Sequence, residues 1–142
     1  LINSEEGVLF VEMAALADDL TNRFIALTDT TANNSVSLFY GGGSSNFIRC
    51  EIKSNNITQA ELTTTSYQIT NYNKIAILYK QNDFALWVNG TNVATDTSGN
   101  TPIGLNDLSF DRADALNFYG KVKQLQVFKT ALTDPELAAL TS

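Results

Sequence analysis

Apolar and polar residues alternate over short stretches of this chain, and clusters of Asn, Asp, Gly, Ser and Thr separate the stretches. The clearest case is residues 48–53, where Ile48, Cys50 and Ile52 alternate with three charged residues. A period of two residues is typical of a β-strand, because successive side chains point to opposite sides of a sheet. We therefore expect this segment to bury one face and to expose the other.

The same pattern predicts short strands along the whole chain. They cover residues 8–14, 23–28, 35–40, 49–53, 59–65, 74–80, 84–89, 93–95, 108–110 and 122–129. Residues 14–22 between the first two strands are interpreted as a loop. The last strand loses strict alternation near Lys123 and Gln124, which predicts a β-bulge there.

The strongest hairpin joins residues 74–80 to residues 84–89 through a polar turn. Its inward-facing positions are expected to be Ile75, Ile77, Tyr79, Leu86 and Val88. Trp87 then lies on the outer face of its strand. Asn89-Gly90 follows directly and is typical of a type I′ turn, which predicts that the meander continues.

The chain ends in a predicted short helix. Thr133 is suited to the N-cap, Pro135 to the first turn, and Glu136 lies three residues after the cap. Leu137 and Leu140 are expected to dock the helix on the strands.

Short strands at regular intervals and only two prolines favour an all-β fold of two packed antiparallel sheets. The 142 residues suit a single domain, 1–142, which can bury roughly two-thirds of its unfolded surface. We expect this domain to be part of a larger protein.

Composition excludes several classes of site. The sequence has no histidine, so Ser-His-Asp catalysis and His-ligated zinc are impossible. The lone Cys50 has no partner for an intrachain disulfide and is expected in the core. A net charge of −6 without a basic cluster argues against nucleic acid and anionic membrane surfaces, and no apolar run suits membrane insertion.

Two segments resemble a known family. NKIAILYK (residues 73–80) and FALWVNG (residues 84–90) are similar to the "hxVAVxY" and "LYVDG" strands of laminin G-like, concanavalin A-like domains. Residues 118–137 resemble the closing pattern of that family, "F-x-G-x-I-D-x-V-x-I-Y-x-x-A-L-[ST]-x-x-E-[IL]". Residues 82–90 and 110–112 look most like the copies found in bacteriophage tail or fibre proteins.

The resemblance implies a two-sheet jelly-roll sandwich with a short C-terminal helix. Such domains bind glycans or protein surfaces, and some branches hydrolyse polysaccharides. Two departures matter here: Val122-Lys123 replaces the "I-D" step, and the endoglucanase motif "E-x-D-x-x-E" is absent.

The first candidate site is a carbohydrate platform on a sheet face. Sugars present apolar C–H faces and hydroxyl groups, so their sites combine flat aromatic rings with planar polar groups. Trp87 would supply the ring, and Arg49, Glu51 and Glu61 the polar groups. The alternative is that a loop, or the segment 14–22, covers Trp87.

The second candidate is a rim of loops at one end of the sandwich, a common place for recognition. Its members are Asp111, Arg112, Asp114, Asn117 and Tyr119, with Tyr40 and Asn46 from the glycine-rich turn. Asp111 and Asp114 also offer the hard oxygen ligands that calcium prefers. The alternative is that Asp111 and Arg112 pair and cap a turn.

A third candidate, paired carboxylates for glycoside hydrolysis, draws on Glu51, Glu61 and Asp83, but no spacing selects a pair. The sequence therefore favours a non-catalytic, glycan-binding module of a virion or extracellular protein. We expect the module to require no cofactor, although calcium is an alternative at the acidic loop. Any homo-oligomer is expected to form through the parent protein. The alternative is a structural or protein-interaction domain of a tail or capsid fibre.

Overall fold

The computed structural model describes residues 2–113 and 116–142, which form ten strands and one short helix. In chain order these are β1 (Glu6–Ala15), β2 (Arg23–Thr28), β3 (Ser35–Tyr40), β4 (Ile48–Ser54), β5 (Ile57–Thr64), β6 (Asn73–Lys80), β7 (Asp83–Val88), β8 (Thr91–Asp96), β9 (Asp107–Ser109), β10 (Gly120–Phe128) and α1 (Asp134–Thr141). Every predicted strand is present, with ends shifted by no more than two residues.

The strands form two antiparallel sheets of five strands each. Sheet A has the order β10-β1-β6-β7-β8, and sheet B has the order β5-β4-β3-β2-β9. The two sheets pack face to face as a jelly-roll sandwich, which confirms the predicted fold class. No helix in the described part of the chain is long and apolar enough to span a membrane.

The core between the sheets consists of the inward-facing side chains of both. It includes all five positions that the hairpin pattern predicts: Ile75, Ile77, Tyr79, Leu86 and Val88. Cys50 lies there as well and is fully buried, as expected. Burial raises the pKa of the Cys50 thiol, because a thiolate is poorly solvated among apolar side chains.

The predicted irregularity in the last strand is a β-bulge. Glu12 of β1 lies opposite Gln124, whereas the next residue, Met13, lies opposite Val122. Lys123 is therefore the extra residue of β10, and its ammonium group lies 3.8 Å from Glu12 Oε1. The bulge restores the inward orientation of Val122 after the break in alternation.

The turn after β7 follows its sequence signal. Asn89 and Gly90 have positive φ angles of 49° and 85°, as a type I′ turn requires. Asn89 Oδ1 accepts a hydrogen bond from Lys74 N at 2.9 Å, which ties the turn to β6.

Helix α1 packs on the outer face of sheet A. Thr133 is its N-cap and accepts a hydrogen bond from Glu136 N, and Pro135 lies in the first turn. Leu137 is fully buried against the sheet. A second, smaller core thereby forms outside the sandwich, from Val8, Phe10, Ala76, Leu78, Ala85, Trp87 and Leu137.

Candidate functional site

Trp87 lies on the outer face of sheet A, as predicted, but that face is covered. Its side chain packs in the cluster that contains Leu137 of α1, and only 7% of the residue is exposed. The expectation of an open platform at Trp87 is therefore wrong. Neither alternative cover was right, because the C-terminal helix, and not the segment 14–22, packs there.

The other members of that first candidate lie on the opposite side of the molecule. Arg49 and Glu51 belong to β4 and Glu61 to β5. Each of the three alternates with buried core residues of its strand, so all three point outward from sheet B. They form one group, but Trp87 does not belong to it. The expected combination of Trp87 with these residues is therefore wrong. Alternation along the sequence shows that a residue faces outward, but it does not show to which of the two sheets the residue belongs.

Two cross-strand rows of side chains organise the outer face of sheet B. In the first row Phe24, Phe39 and Arg49 are neighbours on β2, β3 and β4. The two rings stack with centroids 4.1 Å apart, and the Arg49 guanidinium lies 5.1 Å from the Phe39 centroid. In the second row Ser37, Glu51 and Glu61 are neighbours.

Glu51, whose side chain is only 7% exposed, is the centre of a group of five charged side chains. Arg49 Nη2 donates to Glu51 Oε2 at 3.0 Å and to Glu61 Oε2 at 2.6 Å. Lys53 Nζ and Arg112 Nη1 lie 3.8 Å and 3.6 Å from Glu51 Oε1. We call these residues the charged cluster; three are cationic and two anionic, so its net charge is +1.

Arg112 joins the first candidate to the second. Its guanidinium carbon lies 4.7 Å from the Phe24 centroid while Nη1 reaches toward Glu51. Phe24 is on β2 and Glu51 on β4, so the guanidinium extends over β3, where Ser37 lies beside Glu51. In the described part of the chain its ion pair is with Glu51, not with Asp111 as the turn-capping alternative predicted.

A half-open pocket of about 200 Å³ lies beside the aromatic row. Its lining combines aromatic rings, guanidinium groups, one amide and glycine backbone: Asn22, Phe24, Phe39, Gly42, Gly43, Phe47, Arg49, Arg112 and Leu116. Two buried polar atoms of this lining, Asn22 Oδ1 and Arg49 Nε, have no hydrogen-bond partner among the described residues. We call this feature the sheet B pocket.

The glycine turn after β3 shapes one wall of the sheet B pocket. Gly41 and Gly42 have φ angles of 86° and 92°, which favour glycine. A Cβ on Gly41 would collide with Thr21 O, and one on Gly42 with Asn22 Oδ1. Only glycine therefore lets this turn approach the preceding loop closely enough for Gly42 N to donate to Leu20 O at 3.1 Å.

Arg23 fixes the loops behind the pocket. This side chain is 4% exposed, and its Nε donates to Tyr119 O at 2.9 Å. Nη2 donates to Asp19 Oδ1, also at 2.9 Å. Hydrogen bonds from Thr21 N and from Arg23 lower the pKa of Asp19. Tyr119 is thus held through its backbone, whereas the residue as a whole is 61% exposed.

The remaining rim residues do not assemble as expected. Tyr40 is a core residue whose hydroxyl donates to Met13 O at 3.0 Å, so its place on the rim was wrong. Asn46 has a structural role, because its Oδ1 accepts a hydrogen bond from Ile69 N. Asn117 is exposed and does not line the sheet B pocket.

The expected calcium pair cannot be placed in full. Asp111 is partly buried, and Asp114 lies outside the described residues. Over residues 2–113 and 116–142 no three acidic or cysteine side chains form a group suited to a metal ion.

The three carboxylates considered for catalysis are separated. Asp83 begins β7 of sheet A, whereas Glu51 and Glu61 lie on sheet B. Glu51 and Glu61 share one donor, Arg49 Nη2, instead of facing each other across a cleft as glycoside hydrolysis requires.

Sequence reasoning missed most of the pocket lining. Phe24 and Phe39 alternate with inward-facing Ile25 and Leu38, so the period of two was a usable signal for their outward orientation. Asn22 and Phe47 lie in loops, where no periodicity reveals their contacts.

A family model confirms what these features indicate. The model described as the concanavalin A-like lectin/glucanases superfamily, of the laminin G type, matches residues 9–138. The chain belongs to this superfamily. Its resemblance to laminin G-like domains, which the hairpin and the closing segment carry, is thereby confirmed. A search of curated protein sequences finds no significant match.

Solved structures of similar fold extend over nearly the whole chain. The CBM40 domain of the Ruminococcus gnavus IT-sialidase, bound to α2,3-sialyllactose, has a TM-score of 0.80 at 17% identity, covering 99% of this chain and 84% of that one. Domain 4 of AbnA, a GH43 extracellular arabinanase from Geobacillus stearothermophilus, in complex with arabinotriose, has a TM-score of 0.75 at 16% identity, covering 100% and 69%.

A third similar structure is a whole enzyme. The leech intramolecular trans-sialidase complexed with 2,7-anhydro-Neu5Ac has a TM-score of 0.76 at 16% identity, covering 98% of this chain but only 23% of the enzyme. At 16–17% identity, these likenesses show a shared fold and nothing further.

Proposed function

We propose that this chain is a non-catalytic carbohydrate-binding module and that its ligand binds in the sheet B pocket. The observation that carries the proposal is the lining of that pocket. It places stacked aromatic rings next to guanidinium groups and an amide.

This combination suits a sugar because a sugar ring has two kinds of surface. Its C–H groups pack on aromatic rings, and its hydroxyl groups bond to planar donors and acceptors. Arg49 makes its hydrogen bonds to protein through Nη2 among the described residues, so its Nη1 would donate to a hydroxyl group of the sugar, as would the Arg112 guanidinium.

The comparisons support this proposal without extending to the site. Two of the similar structures are single domains, described as a CBM40 domain and a domain of an arabinanase, and both are complexes with oligosaccharides. By analogy we place the module on an extracellular protein or on a virion. The finer assignment, host recognition by a bacteriophage tail or fibre, rests on the resemblance of residues 82–90 and 110–112.

The experiment is a glycan array with the isolated domain, run with calcium and again with EDTA. We expect a defined set of hits that persists in EDTA, because the sheet B pocket is lined without a carboxylate among the described residues. Hits that disappear in EDTA would instead implicate a metal near Asp111. Silence of a multimerised domain on the whole array would contradict the proposal.

A pair of variants localises the site. Phe47→Ala removes an aromatic wall of the pocket and is expected to weaken binding of any array hit at least tenfold. Tyr72→Ala is the matched control, because Tyr72 is 38% exposed and lies outside the pocket. Unchanged affinity in Phe47→Ala would move the site elsewhere.

One observation favours a second function, a structural or protein-interaction domain of a fibre. A cleft of about 600 Å³ opens between the edge strands β9 and β10, with Ile2, Leu105, Leu108 and Val127 in its lining. Phe110, close to this edge in the chain, is 50% exposed. This function predicts self-association, which light scattering at high concentration measures; a monomer without array hits would argue against both functions.

A further inference from the structure

We propose that the sheet B pocket recognises a sugar that carries a carboxylate, and that Arg49 and Arg112 bind this carboxylate together. The inference rests on the proposed function, because it names the class of sugar for the same pocket. It stands on the charge, the available donors, the orientation and the volume of the pocket.

Charge is the first argument. The only charged residues that line the pocket in the described part of the chain are Arg49 and Arg112. The charged cluster has a net charge of +1 on a protein whose net charge is −6. One carboxylate from a ligand would bring the cluster to neutrality. An acidic ligand is therefore attracted here, although the chain as a whole repels it.

Available donors are the second argument. Among the described residues Arg49 makes its hydrogen bonds through Nη2 alone, to Glu51 and Glu61, which leaves Nη1 to donate to a ligand. Arg112 Nη1 lies 3.6 Å from Glu51 Oε1. The two groups form an ion pair, but this distance is too long for a good hydrogen bond. A guanidinium group presents parallel N–H donors that match the two oxygens of a carboxylate. Both arginines thus retain donors for a ligand.

Orientation is the third argument. The Arg49 guanidinium lies over the Phe39 ring and the Arg112 guanidinium over the Phe24 ring, at 5.1 Å and 4.7 Å from the ring centroids. Phe24 and Phe39 stack on each other. The buried Glu51 carboxylate, two residues after Arg49 on β4, contacts both arginines. Because the two groups are already held in place, a ligand loses less of its binding free energy in ordering them.

Volume limits how much sugar the pocket admits. At about 200 Å³ the pocket is smaller than the roughly 300–1,000 Å³ of sites for larger ligands. It is therefore suited to one sugar ring. We infer that the acidic residue is recognised at the end of a glycan chain and not along an extended stretch.

The test titrates the intact domain with matched acidic and neutral probes. 3′-Sialyllactose is compared with lactose, and oligogalacturonate with its carboxyl-reduced form, so that sialic acids and uronic acids are distinguished. We expect the acidic member of at least one pair to bind ten or more times more tightly. The difference should shrink as sodium chloride rises, because salt screens a half-exposed ion pair.

Variants assign the effect to the arginine pair. Arg112→Gln is expected to reduce affinity for the acidic probe at least tenfold, and Arg112→Lys to recover only part of the loss, because an ammonium group lacks the planar fork. Lys80→Gln removes the same charge from sheet A and should leave the affinity unchanged. A thermal melt of each variant confirms that it is folded.

The failures are distinguishable. Equal affinity for both members of every pair would overturn the carboxylate inference and leave the carbohydrate-binding module intact. A sulfated lactose that binds as tightly as 3′-sialyllactose would overturn recognition of the planar group in favour of charge alone. Silence with every probe and on the glycan array would remove the proposed function and this inference together.

Discussion

The two outer faces of the sandwich differ in what lies over them. The face of sheet A carries apolar side chains, Trp87 among them, and α1 covers these with Leu137. The face of sheet B carries paired phenylalanine rings, arginines and glutamates, and a half-open pocket lies beside them. The same architecture thus produces a second core on one side and a candidate binding surface on the other.

The comparison shows why an outward-facing aromatic residue is a weak signal of a binding site. Outward orientation places a side chain on a face of the sheet but does not say whether another element packs there. A large apolar ring gains free energy from burial, so it attracts a helix as readily as a sugar. Charged groups around a ring, as at Phe39, are the better signal, because a packed helix would have to desolvate them.

Trp87→Ala should destabilise the protein more than any other substitution proposed below, and it tests whether the face of sheet A is a second core. Removing the ring leaves a cavity under α1, so we expect a loss of about 3–5 kcal/mol in the free energy of unfolding. Trp87→Phe should lose less than Trp87→Ala, because it retains a ring and removes an indole N–H without a partner among the described residues. Urea denaturation measures both.

The affinity of the Trp87 variants for a glycan tests whether Trp87 also takes part in binding. In the folded fraction it should remain at the level of the unmodified chain, since Trp87 lies on the opposite sheet from the proposed site. A tenfold loss of affinity in folded Trp87→Phe would place the ligand on sheet A and reverse the roles of the two faces.

Glu51→Gln is expected to have an intermediate effect. The buried carboxylate offsets three cations, so the neutral amide should reduce the free energy of unfolding by about 1–3 kcal/mol. Glu61→Gln is the matched control: its side chain is 47% exposed, and the change should stay below about 1 kcal/mol. Equal losses in the two variants would show that burial of Glu51 does not matter.

The smallest effect is expected for Asp19→Asn, which should change the stability of the protein only at acid pH. Hydrogen bonds from Thr21 N and Arg23 lower the pKa of Asp19 below its ordinary value of 3.8. A carboxyl whose pKa is lower in the folded state stabilises the fold above pH 3.8, and this contribution is lost as pH falls through the folded-state pKa. Asp19→Asn should therefore flatten the decline of the unfolding midpoint as pH falls below 3.8.

An identical acid profile in Asp19→Asn would show that this carboxyl does not stabilise the loop. Hydrogen exchange at Thr21 N, the amide that donates to Asp19, is the local readout, because it reports on the loop and not on the helix-covered face.

Much of the fold could be predicted because alternation reports which way a side chain points. Ile75, Ile77 and Leu86 were assigned to the core from this period alone, and the bulge at Lys123 was recognised from its failure. The cap at Thr133 was also recognised, since local hydrogen bonding determines where a helix begins. These features depend on residues that are close in the sequence.

The candidate site could be predicted only in part because its contacts are long-range. Arg49, Glu51, Glu61 and Arg112 were all selected, but they were divided between two sites, one of which included Trp87. That Arg112, three residues after β9, reaches Glu51 on β4 is a long-range contact that no local pattern encodes. Phe47 and Asn22 line the pocket through loop contacts of the same kind.

The position of β1 has a consequence for how this molecule reaches its folded state. β1 is the first strand of the chain, yet it lies inside sheet A and pairs with β6, which begins at Asn73, and with β10, which ends at Phe128. On the ribosome, sheet A cannot be completed until nearly all of these 142 residues have been synthesised. Pairing over such distances is slow, with refolding on the scale of milliseconds to seconds. Until then the edge of β1 that pairs with β10 has no partner, and the apolar side chains of this strand add to its tendency to aggregate.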